Sequence, residues 1–227
     1  MRVADYIANF LIAKDVKDIF MLTGYGAMYI NDAIEISGIN YYATRNEAAA
    51  PMMAEAYARL KGKLGVVCVT AGPGSTNALP GLAEAFVDSA PIMIISGQVA
   101  TEHTTYNSKL PLRTYGTAEI NIIPIVKPLT KYAKFLDNQN DVQYVLEKAY
   151  HAAMSGRPGP VWIDVPMDIQ NSIIEIDKLR SYNPPNNKLT IQSSDLDFIL
   201  KKINSAKKPL IVAGQGVRQG KAEDQFK

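Results

Sequence analysis

Leu64-Gly65-Val66-Val67-Cys68-Val69-Thr70-Ala71-Gly72-Pro73-Gly74-Ser75-Thr76-Asn77 is the stretch that decides the fold. Residues 64–70 are apolar and rich in Val, the composition of a strand covered on both faces. A Gly-Pro-Gly turn follows, then helical spacing over residues 75–87 and a second apolar run over 92–96. A buried strand that passes through a tight turn into a helix, and on to another buried strand, is the repeating unit of a parallel sheet. The alternation extends in both directions. Upstream, Val3, Ile7, Phe10 and Leu11 follow helical spacing, 19–22 is a short apolar run, and helical spacing returns over 27–36. Residues 39–43 read as extended. The good helix formers of 48–60 are closed by Gly62. Downstream, the pattern loosens after Gly97 until 120–126. A helix over 142–154 then leads through Ser155-Gly156-Arg157-Pro158-Gly159-Pro160 to a strand over 161–165. No hairpin signal interrupts the series. The expected fold is α/β, a doubly wound parallel sheet with helices on both faces, occupying residues 1–182.

Residues 183–188 hold two Pro and three Asn, which is linker composition, and 183–187 are taken as the link. Beyond it a helix over 196–203, a strand over 210–213 and a Gly-rich turn read as the incomplete start, 188–227, of a second α/β domain.

Composition excludes several classes. Of 227 residues, 47% are hydrophobic and 20% charged, which is globular rather than disordered, collagen-like or coiled-coil. The 24 Lys+Arg against 22 Asp+Glu leave +2, too balanced for a nucleic-acid or anionic-membrane surface. No apolar run approaches the length that spans a bilayer. Arg2, Asp5 and Asn9 interrupt any signal-peptide core, so a cytoplasmic location is expected. Cys68, the only cysteine, reads as a buried, inert thiol, which leaves no disulfide and no cysteine metal site.

Chemistry is sparsely supplied. Ser75 lies outside a Gly-x-Ser-x-Gly elbow. His151 falls in a helix and reads as structural; His103 falls in a polar loop and reads as a surface residue. No His or Cys pair has metal-ligand spacing. Gly214-Gln215-Gly216-Val217-Arg218-Gln219-Gly220 has its third Gly one position late for a dinucleotide fingerprint. The turn Gly72-Pro73-Gly74 joins a buried strand to a helix that Ser75 or Thr76 could cap, with N–H groups open to an anion or a polar ring edge. Having no Lys, it is not a triphosphate loop. Glu47, in Arg45-Asn46-Glu47-Ala48-Ala49-Ala50, stands at the carboxyl end of a strand, where ligands bind in parallel sheets. It is either a partner of the helix N-terminal dipole or a site acid.

Together these segments resemble a family. Arg45–Ala50 with Ala54-Glu55-Ala56-Tyr57-Ala58-Arg59, the run from Gly65 through Thr70-Ala71-Gly72-Pro73-Gly74-Ser75-Thr76-Asn77, Asp88-Ser89-Ala90-Pro91, Ser96-Gly97-Gln98-Val99, Lys127-Pro128-Leu129-Thr130-Lys131 and Ser155–Pro166 are similar, in order, to thiamine-diphosphate enzymes. Acetolactate synthases are the nearest in look. The resemblance implies a pyrimidine-binding domain in which Glu47 hydrogen-bonds N1′ of the cofactor's aminopyrimidine. That contact favours the imino tautomer, which removes the thiazolium C2 proton. It also implies cofactor-binding roles for Gly24, Glu47, Gly72, Pro73, Gly74, Asn77, Gln98 and Arg157, the last either facing FAD or serving as a plain loop residue. The implied activity is that of a carboligase or decarboxylase acting on a 2-keto acid such as pyruvate, working with Mg²⁺ as a homodimer or homotetramer. Alternatives are a different acceptor, such as an aldehyde or keto sugar, and a non-catalytic binding module.

Three positions depart from the family pattern. Thr23-Gly24-Tyr25 stands for Pro-Gly-Gly, residues 100–117 form a longer segment, and Thr117-Ala118-Glu119 replaces Phe-Gln-Glu. The diphosphate domain's Gly-Asp-Gly, whose domain holds the Mg²⁺ ligands, does not occur, so the chain is expected to be the N-terminal part of a longer enzyme.

Overall fold

The structure, a computed structural model, describes residues 1–185 and 191–226. Residues 186–187 of the expected link and the first residues of the 188–227 segment therefore lie outside it. The chain divides into two compact units, Met1–Pro184 and Pro185–Lys227.

In the first unit the elements run α1 (Val3–Ala13), β1 (Asp18–Met21), α2 (Met28–Ser37), β2 (Asn40–Ala43), α3 (Ala49–Lys61), β3 (Gly65–Val69), α4 (Pro73–Asn77), α5 (Leu79–Val87), β4 (Ile92–Gln98), α6 (Ile123–Val126), β5 (Tyr132–Phe135), α7 (Val142–Met154), β6 (Val161–Pro166) and α8 (Met167–Asn171). The six strands form one sheet in the order β2-β1-β3-β4-β6-β5, and every pairing is parallel. The α/β fold expected from the alternation is the fold observed.

Its two faces follow from the period of two along each strand. Ile19, Met21, Val66, Cys68, Met93, Ile95, Ile163 and Val165 pack under α1, α2 and α7. Phe20, Val67, Val69, Ile92, Ile94 and Trp162 pack under α3, α5 and Val126 of α6. β3, β4 and β6 are buried along their whole length, including the polar Ser96 and Gln98 of β4 and Asp164 of β6.

Three readings need correction. The helix expected over 75–87 is two, α4 and α5, meeting at Ala78. The first starts at Pro73, whose fixed φ suits a first helical position. Gly72 is its N-cap, with no side chain capping it. Ser75 Oγ instead donates to the Thr70 carbonyl at 2.6 Å and Thr76 Oγ1 to the Pro73 carbonyl at 3.3 Å. β5 was not anticipated.

In the second unit α9 (Ser193–Ser205) contains the expected helix, and α10 (Gln215–Gln219) and α11 (Glu223–Phe226) follow. The strand expected over 210–213 does not form. Leu210, Ile211 and Val212 are exposed, and among the described residues nothing pairs with them; an apolar run becomes a strand only beside a partner.

Candidate active site

The order of the sheet reverses between β1 and β3: the chain leaves β1 toward one edge and β3 toward the other. Loops part at such a point, and ligands bind in the crevice they leave. A cleft of about 680 Å³ opens there. Tyr25 and Gly26 line it after β1, Glu47 after β2, and Thr70, Ala71, Pro73, Gly74, Thr76 and Asn77 after β3. Val99 after β4, with Thr117 and Ala118, closes the far side.

Asn46 builds the approach to Glu47. Its Oδ1 accepts the Ala48 N–H at 2.9 Å, a local turn that carries the chain from β2 into α3. The half-buried Glu47 carboxylate is thereby presented to the cleft. Its Oε2 accepts Asn77 Nδ2–H at 2.7 Å. Its Oε1 has no donor among the described residues and lies 3.4 Å from where a side chain on Gly74 would begin. Of the two readings left open for this residue, the carboxylate is engaged by Asn77 at the end of α4, not by the N–H groups of its own helix.

Glycine is required at two points of the wall. Gly72 has φ +62°, and a Cβ there would overlap the Ala118 carbonyl oxygen. At Gly24, a Cβ would lie 2.5 Å from the Thr70 side chain, whose Oγ1 accepts the Gly26 N–H at 3.0 Å. Gly24 and Gly72 thus stand behind the wall and allow the strand ends to close up, while Pro73, Gly74 and Asn77 face the cleft.

Two expected site residues are elsewhere. Gln98 is 2% exposed; its Nε2 donates to Ile120 O at 3.0 Å and to Asp164 Oδ2 at 3.2 Å, and its Oε1 accepts the Val99 N–H. Arg157 precedes β6, at the amino end of the sheet, where Nε donates to Ser89 Oγ at 2.6 Å and Nη2 to the Val87 carbonyl at 3.4 Å. β6 alone separates it from the cleft by about 20 Å. Arg157 holds two loop ends together.

Sequence reasoning missed three residues. Asp164, inside β6, is fully buried beside Ser96, and burial pushes its carboxyl up to about 7 against the pull of bonds from Ser96 and Gln98. Gln170 of α8 donates to the Gly26 carbonyl at 2.7 Å, fixing the cleft from below. Glu119, 3% exposed, accepts from Thr105 and Tyr115 and gathers the 105–119 segment. An acid inside an apolar run, opposite a Ser and near a Gln, was the available signal for the first.

His103 sits at the surface near Glu102 and Tyr115, and the His151 ring lies against Tyr182. Burial pushes the Cys68 thiol up to about 12, which keeps it protonated and unreactive. Among the described residues there is no group of three or more His, Cys, Asp and Glu side chains able to hold a metal ion. No helix among them is long and apolar enough to cross a membrane.

The family description "Thiamine pyrophosphate enzyme, N-terminal TPP binding domain" matches residues 1–125. The chain is 35% identical over 232 residues to the acetolactate synthase isozyme 3 large subunit of Escherichia coli, covering 99% of this chain and 38% of that protein. It is 35% identical to the acetolactate synthase large subunit of Lactococcus lactis, covering 93% and 36%, and 34% identical to the chloroplastic acetolactate synthase of Arabidopsis thaliana, covering 94% and 31%. The chain thus spans less than two fifths of the length of these relatives. With a parallel sheet whose switch point opens on a lone carboxylate and a glycine turn, and with that match over more than half its residues, the chain belongs to the thiamine pyrophosphate enzymes and carries their N-terminal TPP-binding domain.

Proposed function

We propose that this chain is the pyrimidine-binding part of an acetolactate synthase-like carboligase acting on a 2-keto acid such as pyruvate. One observation carries the reading: the half-buried Glu47 carboxylate, with Oε2 held by Asn77 and Oε1 without a donor among the described residues, faces Gly74, where no side chain stands in the way. A flat heteroaromatic ring fits such a place, because glycines let its edge approach the backbone. Bound thiamine diphosphate supplies a carbon nucleophile for the carbonyl carbon of a keto acid. The residues of this chain do the rest. Asn77 fixes the rotamer of Glu47, and Glu47 shares a proton with a ring nitrogen at Oε1. Thr70 and Gln170 hold Gly26, and the walls keep water from the reacting edge. Mg²⁺ is proposed to be held by residues outside this chain, at the cofactor's diphosphate.

A different acceptor, such as an aldehyde or keto sugar, is the second reading, supported by the small side chains of Thr117 and Ala118 on the far wall of the cleft. Association into a homodimer or homotetramer is supported by the apolar side chains exposed on α3 and α5, Met52, Met53, Leu60, Phe86 and Val87. A cytoplasmic location is part of the same reading. The test is Glu47→Gln in the full-length enzyme, followed by NMR of deuterium exchange at the cofactor's C2. Loss of one proton-transfer partner is expected to slow exchange by roughly 10²–10⁴, and an unchanged rate would remove Glu47 from the reaction.

A further inference from the structure

The far wall of the cleft takes an unusual path. Ala118 has φ +58°, a left-handed conformation that a residue with a Cβ adopts only where its surroundings impose it. Its carbonyl is turned toward Gly72, so the position of Ala118 sets how close the Gly72-Pro73-Gly74 turn stands to the opposite wall. Within its own segment the ties run through Glu119: its N–H reaches the Gly116 carbonyl at 3.2 Å, its carboxylate accepts from Thr105 and Tyr115, and its carbonyl accepts Thr114 Oγ1–H at 3.2 Å.

The long-range tie comes from the sheet. Gln98, the last residue of β4, donates one Nε2 hydrogen to the Ile120 carbonyl, two residues beyond Ala118, and the other to Asp164 on β6. Asp164 Oδ1 accepts Ser96 Oγ–H, and Ser96 Oγ accepts Trp162 Nε1–H at 2.8 Å. The register places Ser96 directly opposite Asp164. The Gln98 side-chain oxygen Oε1 accepts the N–H of Val99, itself a cleft residue. Every polar atom of Gln98 is therefore engaged, and its amide can point only one way.

We infer that Gln98 is a positioning residue, which through Ile120 and Asp164 clamps the 117–120 wall to β4 and β6 and so fixes the width of the cleft facing Glu47. It is buried and does not line the cleft. Its effect on cofactor binding rests on the function proposed above; its effect on the wall does not.

The test uses the full-length protein with Gln98→Met, of similar volume and unable to donate. Amide hydrogen exchange at residues 115–120 is expected to quicken about tenfold, the scale of one or two lost hydrogen bonds, while β3 keeps its protection. Thiamine diphosphate, titrated with Mg²⁺, is expected to bind about tenfold more weakly. Adding Ala118→Gly, which takes the positive φ freely, is expected to restore most of that affinity. Should Gln98→Met fail to fold, Gln98→Asn keeps an amide in the core, loses the reach to Ile120, and is read in the same way. Unchanged exchange at 115–120, or an equal loss of protection in β3, overturns the inference. If the unaltered protein fails to bind thiamine diphosphate, the proposed function falls and the exchange data still decide the role of Gln98.

Discussion

Gly72 and Asp164 show how much of the site depends on single residues. Gly72→Ala places a Cβ at positive φ and against the Ala118 carbonyl, so a loss on the order of 2–4 kcal/mol is expected in denaturant unfolding. A loss below ~0.5 kcal/mol would mean that the turn moves aside freely. Asp164 makes stability depend on pH. Burial raises its carboxyl from 3.8 to about 7, with the Glu119 charge adding and the bonds from Ser96 and Gln98 opposing. Between those values the folded state binds more protons than the unfolded one. Stability therefore falls as pH rises from about 4 to 7, by at most roughly 4 kcal/mol, and levels off above. Asp164→Asn is expected to flatten that slope in Tm measured from pH 4.5 to 7.5; a slope kept in the variant would assign it to other groups. Glu47 was legible because position at a strand's carboxyl end is a property of sequence order. The Ser96–Asp164–Gln98 cluster was not, because Asp164 is far in the chain from Ser96 and Gln98 and meets them only through the register of β4 on β6.

Elements were legible in proportion to how completely their apolar pattern is used. β3 and β4 are buried on both faces, and an uninterrupted Val/Ile run announces that. β5 escaped because its Tyr-Ala-Lys-Phe is short, carries a charge and lies at a sheet edge with one residue fully buried. The opposite error, a strand at 210–213, came from composition with no pairing partner to complete it. The same contrast predicts mutational cost. Ile94→Ala, at full burial in β4, is expected to lose about 2–5 kcal/mol through transfer and cavity. Ile36→Ala, 72% exposed on α2, is expected to stay within about 0.5 kcal/mol. Equal losses at the two sites in matched urea titrations would mean that the burial described for β4 is wrong.

At the scale of the whole molecule, the chain accounts for 38% of the length of the Escherichia coli relative, and in the function proposed above it presents one carboxylate, Glu47, to a cofactor with a large charged tail. A single charge-assisted bond contributes about 1.5–3 kcal/mol. Set against the entropy of immobilising a flexible ligand, that supports roughly millimolar affinity at best. Calorimetric titration of the 227-residue chain with thiamine diphosphate and Mg²⁺ is expected to show no micromolar binding, and micromolar binding would reveal a diphosphate site within these residues.

Cys68 gives the molecule an internal clock. It is the only cysteine in the chain and lies at zero exposure in β3, hydrogen-bonded between β1 and β4. A thiol reagent can reach it only after the central strands separate, so the labelling rate under native conditions is the intrinsic thiol rate scaled by the open fraction. The free energy obtained from that rate is expected to equal the global value from denaturant melts, since central strands open only with the whole unit. A markedly smaller value would reveal that the sheet parts at β3 while the rest of the unit stays folded.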